Sequence, residues 1–364
     1  MPHIRTIPRR WRARCALTGV LTAVAVLCGM LPAGASNGLN WTTLPSLPTA
    51  RFQLGSAAAP CPRGQTGTCL YSVGGSDGSS VLNTVQSYNR TSNAWSTLPV
   101  LPTARRALAA AAAPCPAGQS GTCVYAIGGV SGSGYSRTVQ SYNPATNSWT
   151  ALASLGTARS YLGAAAAPCP AGQTGTCVYA IGGFNTSGNL ASVEAYNPAT
   201  KSWSIVASLS AARSGQGAAA APCPNGQGGT CVYAAGGLDP AVSDTVESYN
   251  PATKAWSLVA SLTVARDTPG VAATTCPPGQ SGICVYAVGG ISGTTPLGTT
   301  ESYNPASDVW TSLPSLPTPR FQAGAAALSC PPGATGNCVY IAGGDDGGGA
   351  VGTLEALDPP AVGH

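Results

Sequence analysis

The sequence predicts an all-β protein assembled from six copies of one four-stranded unit. Three periodic features predict it. A nine-residue turn bracketed by cysteines recurs at Cys61, Cys115, Cys169, Cys223, Cys276 and Cys330, 53 or 54 residues apart, from "CPRGQTGTC" to "CPPGATGNC". Each turn leads into a β-branched and aromatic run closed by two glycines: "LYSVGG" at Leu70, "VYAIGG" at Val124 and Val178, "VYAAGG" at Val232, "VYAVGG" at Val285 and "VYIAGG" at Val339. In five repeats a tyrosine then precedes a tryptophan by seven residues: Tyr88/Trp95, Tyr142/Trp149, Tyr196/Trp203, Tyr249/Trp256 and Tyr303/Trp310. Such a period marks stacked supersecondary units and overrides the two-domain prior set by a length of 364 residues.

Each unit opens on an arginine, at Arg51, Arg105, Arg159, Arg213, Arg266 and Arg320. A Gly- and Ala-rich first strand runs from there to the first cysteine. The diglycine run is the second strand. "TVQSY" and its equivalents alternate with period two and form the third, and a turn such as "NPATNS" delivers the fourth strand around tryptophan.

Diglycine, tyrosine and tryptophan at these spacings resemble the Kelch repeat, a four-stranded β-propeller blade. The resemblance covers residues 39–358 and recurs in register. It implies a six-bladed Kelch-type β-propeller over residues 36–364, with blades near 51–98, 105–152, 159–206, 213–259, 266–313 and 320–358. "ALAAAAAP" at Ala107 to Pro114 has helical propensity, but its equivalents carry Gly and Thr, and a strand near a propeller axis has room only for small side chains. The chain departs from the family pattern in its long cysteine turn. The last unit also has Leu357 in place of tyrosine and no tryptophan after it. Trp41 has no repeat in front of it, so residues 39–47 are expected to close the last blade as its fourth strand and remove the ring's open edges.

Residues 1–35 read as a signal peptide. Five arginines precede the apolar run "CALTGVLTAVAVLCGML", and small residues at Ala33 and Ala35 mark a cleavage site. An uncleaved anchor is the rival, "PRRWRA" carries a twin-arginine pair, and a lipoprotein at Cys28 is disfavoured by the bulky Leu27. Without this segment, twelve basic residues balance twelve acidic ones, which excludes a basic footprint for nucleic acid or anionic lipid. No later stretch is long and apolar enough to span a membrane. Twelve cysteines remain. In an oxidising compartment they are expected to form six local disulfides, Cys61–Cys69, Cys115–Cys123, Cys169–Cys177, Cys223–Cys231, Cys276–Cys284 and Cys330–Cys338. Zinc is the poorer reading, because the only histidines are His3 and His364.

Comparing the repeats with one another separates structure from function. The six arginines and a third-strand acid or amide (Gln86, Gln140, Glu194, Glu247, Glu301 and Glu355) recur, and are expected to form a hydrogen-bonded ladder holding the blades together. The face opposite the cysteine turns varies. Just after the arginines stand the candidate ligand-binding residues Phe52, Gln53, Arg106, Tyr161, Gln216, Asp267, Phe321 and Gln322, with Ser160 beside Tyr161. Loops after the diglycines add Asp77, Tyr135, Arg137, Phe184, Asn185, Asp239, Asp244, Asp345 and Asp346. Aromatics, amides and a few charges suit a sugar or a peptide. A copper oxidase of the galactose oxidase type lacks its histidines, "GGDDGGG" at Gly343 lacks the spaced ligands of a calcium loop, and no glycine-rich loop carries the Lys-Ser/Thr of a phosphate cradle. The expectation is an exported, monomeric binding protein for a glycan or protein ligand, with no catalytic residue, cofactor or metal. The alternative is a sugar-ring epimerase of the N-acetylneuraminate type, with Arg106 and Asp267 addressing one sugar across the mouth.

Overall fold

The computed structural model describes residues 38–331 and 336–358. The segment read as a signal peptide lies outside the described residues. Six four-stranded antiparallel sheets follow one another around a ring. Blade 1 is Gly55–Pro60, Thr68–Val73, Val85–Asn89 and Ala94–Leu98, from the axis outward, and blades 2 to 5 repeat it. Blade 6 takes three strands from the C-terminal end and its outermost, Asn40–Leu44, from the N-terminal end, in the register Trp41↔Leu357 and Leu44↔Leu354. The alanine run Ala109–Pro114 is an inner strand, paired along its length with Thr122–Ile127. Packing overrides helix propensity there: a Cβ on Gly55 of blade 1 would already lie 3.0 Å from the Ala110 Cβ.

The diglycines are joints between blades. The second glycine donates its N–H to the carbonyl of the arginine opening the next blade, as in Gly75 to Arg105 at 2.9 Å and, around the seam, Gly344 to Arg51 at 2.8 Å. A Cβ on the first glycine would meet that same carbonyl at 2.4–2.6 Å in every repeat, and its φ is positive, so only glycine fits.

The arginines are at most 2% exposed. Their guanidinium groups bond within their own blade. Arg159 donates to Gly182 O at 2.9 Å, Ser192 O at 2.7 Å and Glu194 Oε1 at 2.7 Å, clamping the second strand to the third. The expected ladder between blades is therefore an intrablade clamp. The carboxylates reach outward instead: Glu194 accepts from Gly156 N, Glu247 from Ser210 N and Glu301 from Thr263 N, all on the segment arriving from the preceding blade. Blades 1 and 2 carry Pro48 and Pro102 at that position, which offer no N–H, and there the acceptors are the neutral Gln86 and Gln140. Burial lowers Arg51 and Arg105 to about 10, with Asp77 opposing the shift at Arg51.

Between blades, a second-strand tyrosine packs on the third-strand tyrosine of the next, with ring centroids 5.6–6.3 Å apart at five junctions. The outer tryptophan covers the third-strand tyrosine and sends its indole N–H back to the preceding segment, as in Trp149 to Pro99 O at 2.9 Å. Trp41 makes the same indole N–H bond for blade 6, to Pro314 O at 2.9 Å, but stands opposite Leu357 in place of a tyrosine. Each cysteine pair is bonded, with Cα atoms 4.8 Å apart.

Candidate functional site at the channel mouth

The residue two beyond each arginine forms the lip of the central channel. These six residues, Gln53, Ala107, Tyr161, Gly215, Thr268 and Gln322, all have positive φ, between 49° and 69°. Each donates its N–H to the carbonyl of the equivalent residue in the preceding blade at 2.8–3.2 Å, and Gln53 closes the circle on Gln322. The backbone is thus one closed ring, the same in every blade, while the side chains differ. Left-handed φ is costly for a residue with a Cβ and most unusual for a β-branched one such as Thr268. Glycine would remove that strain, yet only Gly215 uses it.

The ring surrounds a bowl of about 100 Å³. Its floor is the next residue of each blade, including Leu54, Leu108, Leu162 and Gln216, and below it the Gly- and Ala-lined channel continues. On one side Arg106 Nη1 donates to Gln53 Oε1 at 2.9 Å, and Gln53 Nε2 donates to the Tyr161 hydroxyl. Burial pushes the Tyr161 phenol up, with Arg106 pulling it down and Asp267 pushing it further up. On the other side Asp267 extends into the side-chain space that Gly215 leaves open: a Cβ on Gly215 would lie 1.8 Å from Asp267 Oδ1. This explains the single glycine of the ring. Asp267 Oδ1 is buried without a partner, and burial pushes the carboxyl up to about 6. Gln216 Nε2 donates to Ile181 O at 2.6 Å, leaving its Oε1 unpartnered.

Of the residues singled out in the sequence, Gln53, Tyr161, Gln216 and Gln322 line the bowl, and Arg106 and Asp267 are linked to it through Gln53 and Gly215. Phe52 and Phe321 do not line it. They stand one residue earlier, bridged to Ser76 and Asp345 of the loops. Thr268 and Pro269 were missed, and counting two and three residues on from Arg266 locates both. Among the loop residues, Tyr135 and Phe184 meet edge to face at 5.9 Å between blades 2 and 3. Arg137 is tied to Leu155 O at 2.7 Å, and Asn185 to Ala158 O at 3.0 Å. Asp77 and Asp346 flank an open groove of about 740 Å³ between the loops of blades 1 and 6.

A ring of six such blades defines a six-bladed Kelch-type propeller. Residues 64–101, 111–156, 165–210, 220–263 and 281–317 match the Kelch motif, and the chain belongs to the Kelch-repeat family. It is similar to mouse Kelch-like protein 35, 29% identical over 291 residues that cover 79% of this chain and 44% of that protein. A 69-residue stretch is 44% identical to human Kelch-like protein 4, covering 19% of this chain and 9% of that one. The chain spans less than half the length of these curated relatives. The solved structure described as "Structure of YjhT" shares the fold, with a TM-score of 0.61 and 15% identity over 86% of this chain and 96% of that one.

Proposed function

We propose that this propeller is an exported binding protein that anchors a protein or glycan ligand at the channel mouth. The observation that carries the reading is the lip itself: six residues share one left-handed backbone, and at five of them the chain keeps a side chain, of four different types, instead of glycine. Strain retained where side chains diverge marks a working surface. The bowl is smaller than the ~300–1,000 Å³ of a site that engulfs a small molecule. It takes one anchoring group, with the aromatic pair Tyr135/Phe184 and the groove beside Asp77 and Asp346 left for the remainder of the ligand. Export is supported by the N-terminal signal pattern and the six disulfides. No helix among the described residues is long and apolar enough to cross a membrane.

The test is a glycan array and a peptide library probed with the folded chain. Arg106→Ala combined with Tyr161→Ala should reduce capture at least tenfold. Gln119→Ala with Gln173→Ala, on the stapled rim, should leave it unchanged. Loss in the second pair and not the first would place the ligand on the wrong face for this reading.

The acid–base alternative has one observation in its favour. A carboxyl titrating near pH 6, close enough to Tyr161 to push its phenol up, can pass a proton to and from a sugar oxygen at neutral pH. Anomeric exchange of a captured sugar, followed by NMR and abolished in Asp267→Asn, would select it.

A further inference from the structure

At the outer edge of the ring, blades 3 and 4 depart from the repeat together. Two residues before the outer tryptophan, blades 1, 2 and 5 place Asn93, Asn147 and Asp308, whereas blades 3 and 4 place Lys201 and Lys254, the chain's two lysines. All five residues have positive φ, between 51° and 59°. Asparagine and aspartate accept that conformation more readily than lysine does. They also cap the third-strand tyrosine of their blade: Tyr88 donates to Asn93 Oδ1 at 2.6 Å, Tyr303 to Asp308 Oδ1 at 2.7 Å, and Tyr142 to Asn147 Oδ1. A lysine side chain has no acceptor. The hydroxyls of Tyr196 and Tyr249 are accordingly buried without a partner. Each lysine thus carries two local penalties, a left-handed backbone and an uncapped tyrosine, and the chain retains both in neighbouring blades.

Nothing inside the fold offsets them. Both lysines are exposed, and the ion pairs among the described residues all join an arginine to a glutamate. Two residues beyond the tryptophan, the same two blades expose Ile205, at 85%, and Leu258, at 68%. Blades 1, 2, 5 and 6 have Thr97, Ala151, Ser312 and Thr43 there. Alternation along the outer strands Ser202–Val206 and Ala255–Val259 places Ile205 on the face of Trp203 and Leu258 on that of Trp256. The Trp256 indole N–H bonds Ala207 O at 2.8 Å, just past the outer strand of blade 3, so the two edges adjoin. Four residues of strand separate each lysine from its aliphatic partner, about 13 Å at the usual strand rise. That is close to the ~10–12 Å width of an α-helix with its side chains.

We propose that the outer edge of blades 3 and 4 docks an acidic amphipathic helix of a protein partner, with its carboxylates on Lys201 and Lys254 and its aliphatic row on Ile205 and Leu258. The surface is separate from the channel mouth and does not depend on the ligand proposed there. The probe is a synthetic helical peptide with glutamates along one side and leucines along the other, titrated into the full chain. It should bind saturably and more weakly as salt rises. Amide shifts in NMR should fall on residues 201–207 and 254–260. Lys201→Asn with Lys254→Asn should weaken binding at least tenfold and also raise the melting temperature, because asparagine suits the turn and caps the tyrosine. Ile205→Thr with Leu258→Thr should weaken binding by a similar factor. The proposal is overturned if the peptide does not bind, if a version with glutamine for glutamate binds equally, or if the shifts fall elsewhere. It is overturned too if the lysine double variant melts lower, which would give the lysines a role in the fold. Self-association of that variant would make them guards of an exposed strand edge and has the same consequence. Lysine-dependent binding to vesicles of phosphatidylglycerol, in place of the peptide, would assign the surface to a membrane and overturn the protein partner.

Discussion

On the stapled rim, Gln119 of blade 2 accepts from Asn143 and Gln173 of blade 3 accepts from Asn197, both at 3.1 Å. At the mouth of the same two blades, Ala107 and Tyr161 share a φ near 50° and little else. One rim repeats its side chains and contacts; the other repeats only its backbone. In a ring where each blade touches its neighbours, a contact made once per blade is multiplied around the circle, so small errors add. A rim that diverges forgoes that multiplication. The difference is what the proposed function expects: stability from the stapled rim and the interblade packing, and the proposed recognition at the mouth.

The largest break in this comparison is loss of closure. Removing residues 36–47 takes away Asn40–Leu44 and with it the Trp41 contact to Pro314. The Leu354–Asp358 edge is then unpaired, and an open edge recruits other chains. Light scattering should show aggregation, or calorimetry a fall of 10 °C or more, roughly the effect of losing several kcal/mol in a large domain. A monomer that melts as before would mean that the ring does not depend on its N-terminal strand.

A smaller effect sharpens the reading of the buried arginine clamps. Glu247 accepts from both Arg213, at 2.7 Å, and Ser210 N, at 3.0 Å. Glu355 bonds Arg320 at 2.6 Å, but Pro317 stands where the second donor would be, and burial pushes its carboxyl up. Glu247→Gln should therefore cost about 2–3 kcal/mol, and Glu355→Gln less than about 1 kcal/mol. Equal losses in urea unfolding would show that the amide from the preceding segment contributes nothing.

The repeat, the strand order, the closing strand and the cysteine pairs were legible in the sequence because they are local or periodic. The lip was only half legible. Phe52 and Phe321 attracted attention by residue type, yet they stand one position before the lip, in the bridge to the loops. Ala107, Gly215 and Thr268 carry no conspicuous chemistry, and their role is a backbone angle and a bond to the next blade. Position relative to the arginine, not side-chain type, was the usable signal. The clamp was misplaced for a related reason: sequence spacing names Arg159 and Glu194 as recurring together but does not say whether they meet within a blade or across two.

The last predicted effect is a gain in stability, not a loss, and concerns Asp267, where the mouth gives up stability. Its folded carboxyl titrates near 6, above the ordinary ~4 of an unfolded aspartate. Below about pH 4 both states are protonated and the group is neutral in the balance. Between about pH 4 and 6 the unfolded state releases its proton first, so stability falls as pH rises, and above 6 the loss is complete at about 2 kcal/mol, allowing for partial exposure. Asp267→Asn removes that term. The variant should melt with the native protein at pH 4 and several degrees above it at pH 7.5, while ligand capture at the mouth declines. Gln119→Ala, on the stapled rim, should instead shift the melting temperature by a similar amount at both pH values. Parallel curves for Asp267→Asn across that range would show that its carboxyl is not held in a buried, unpartnered state, and the mouth would lose its one titrating group near neutrality.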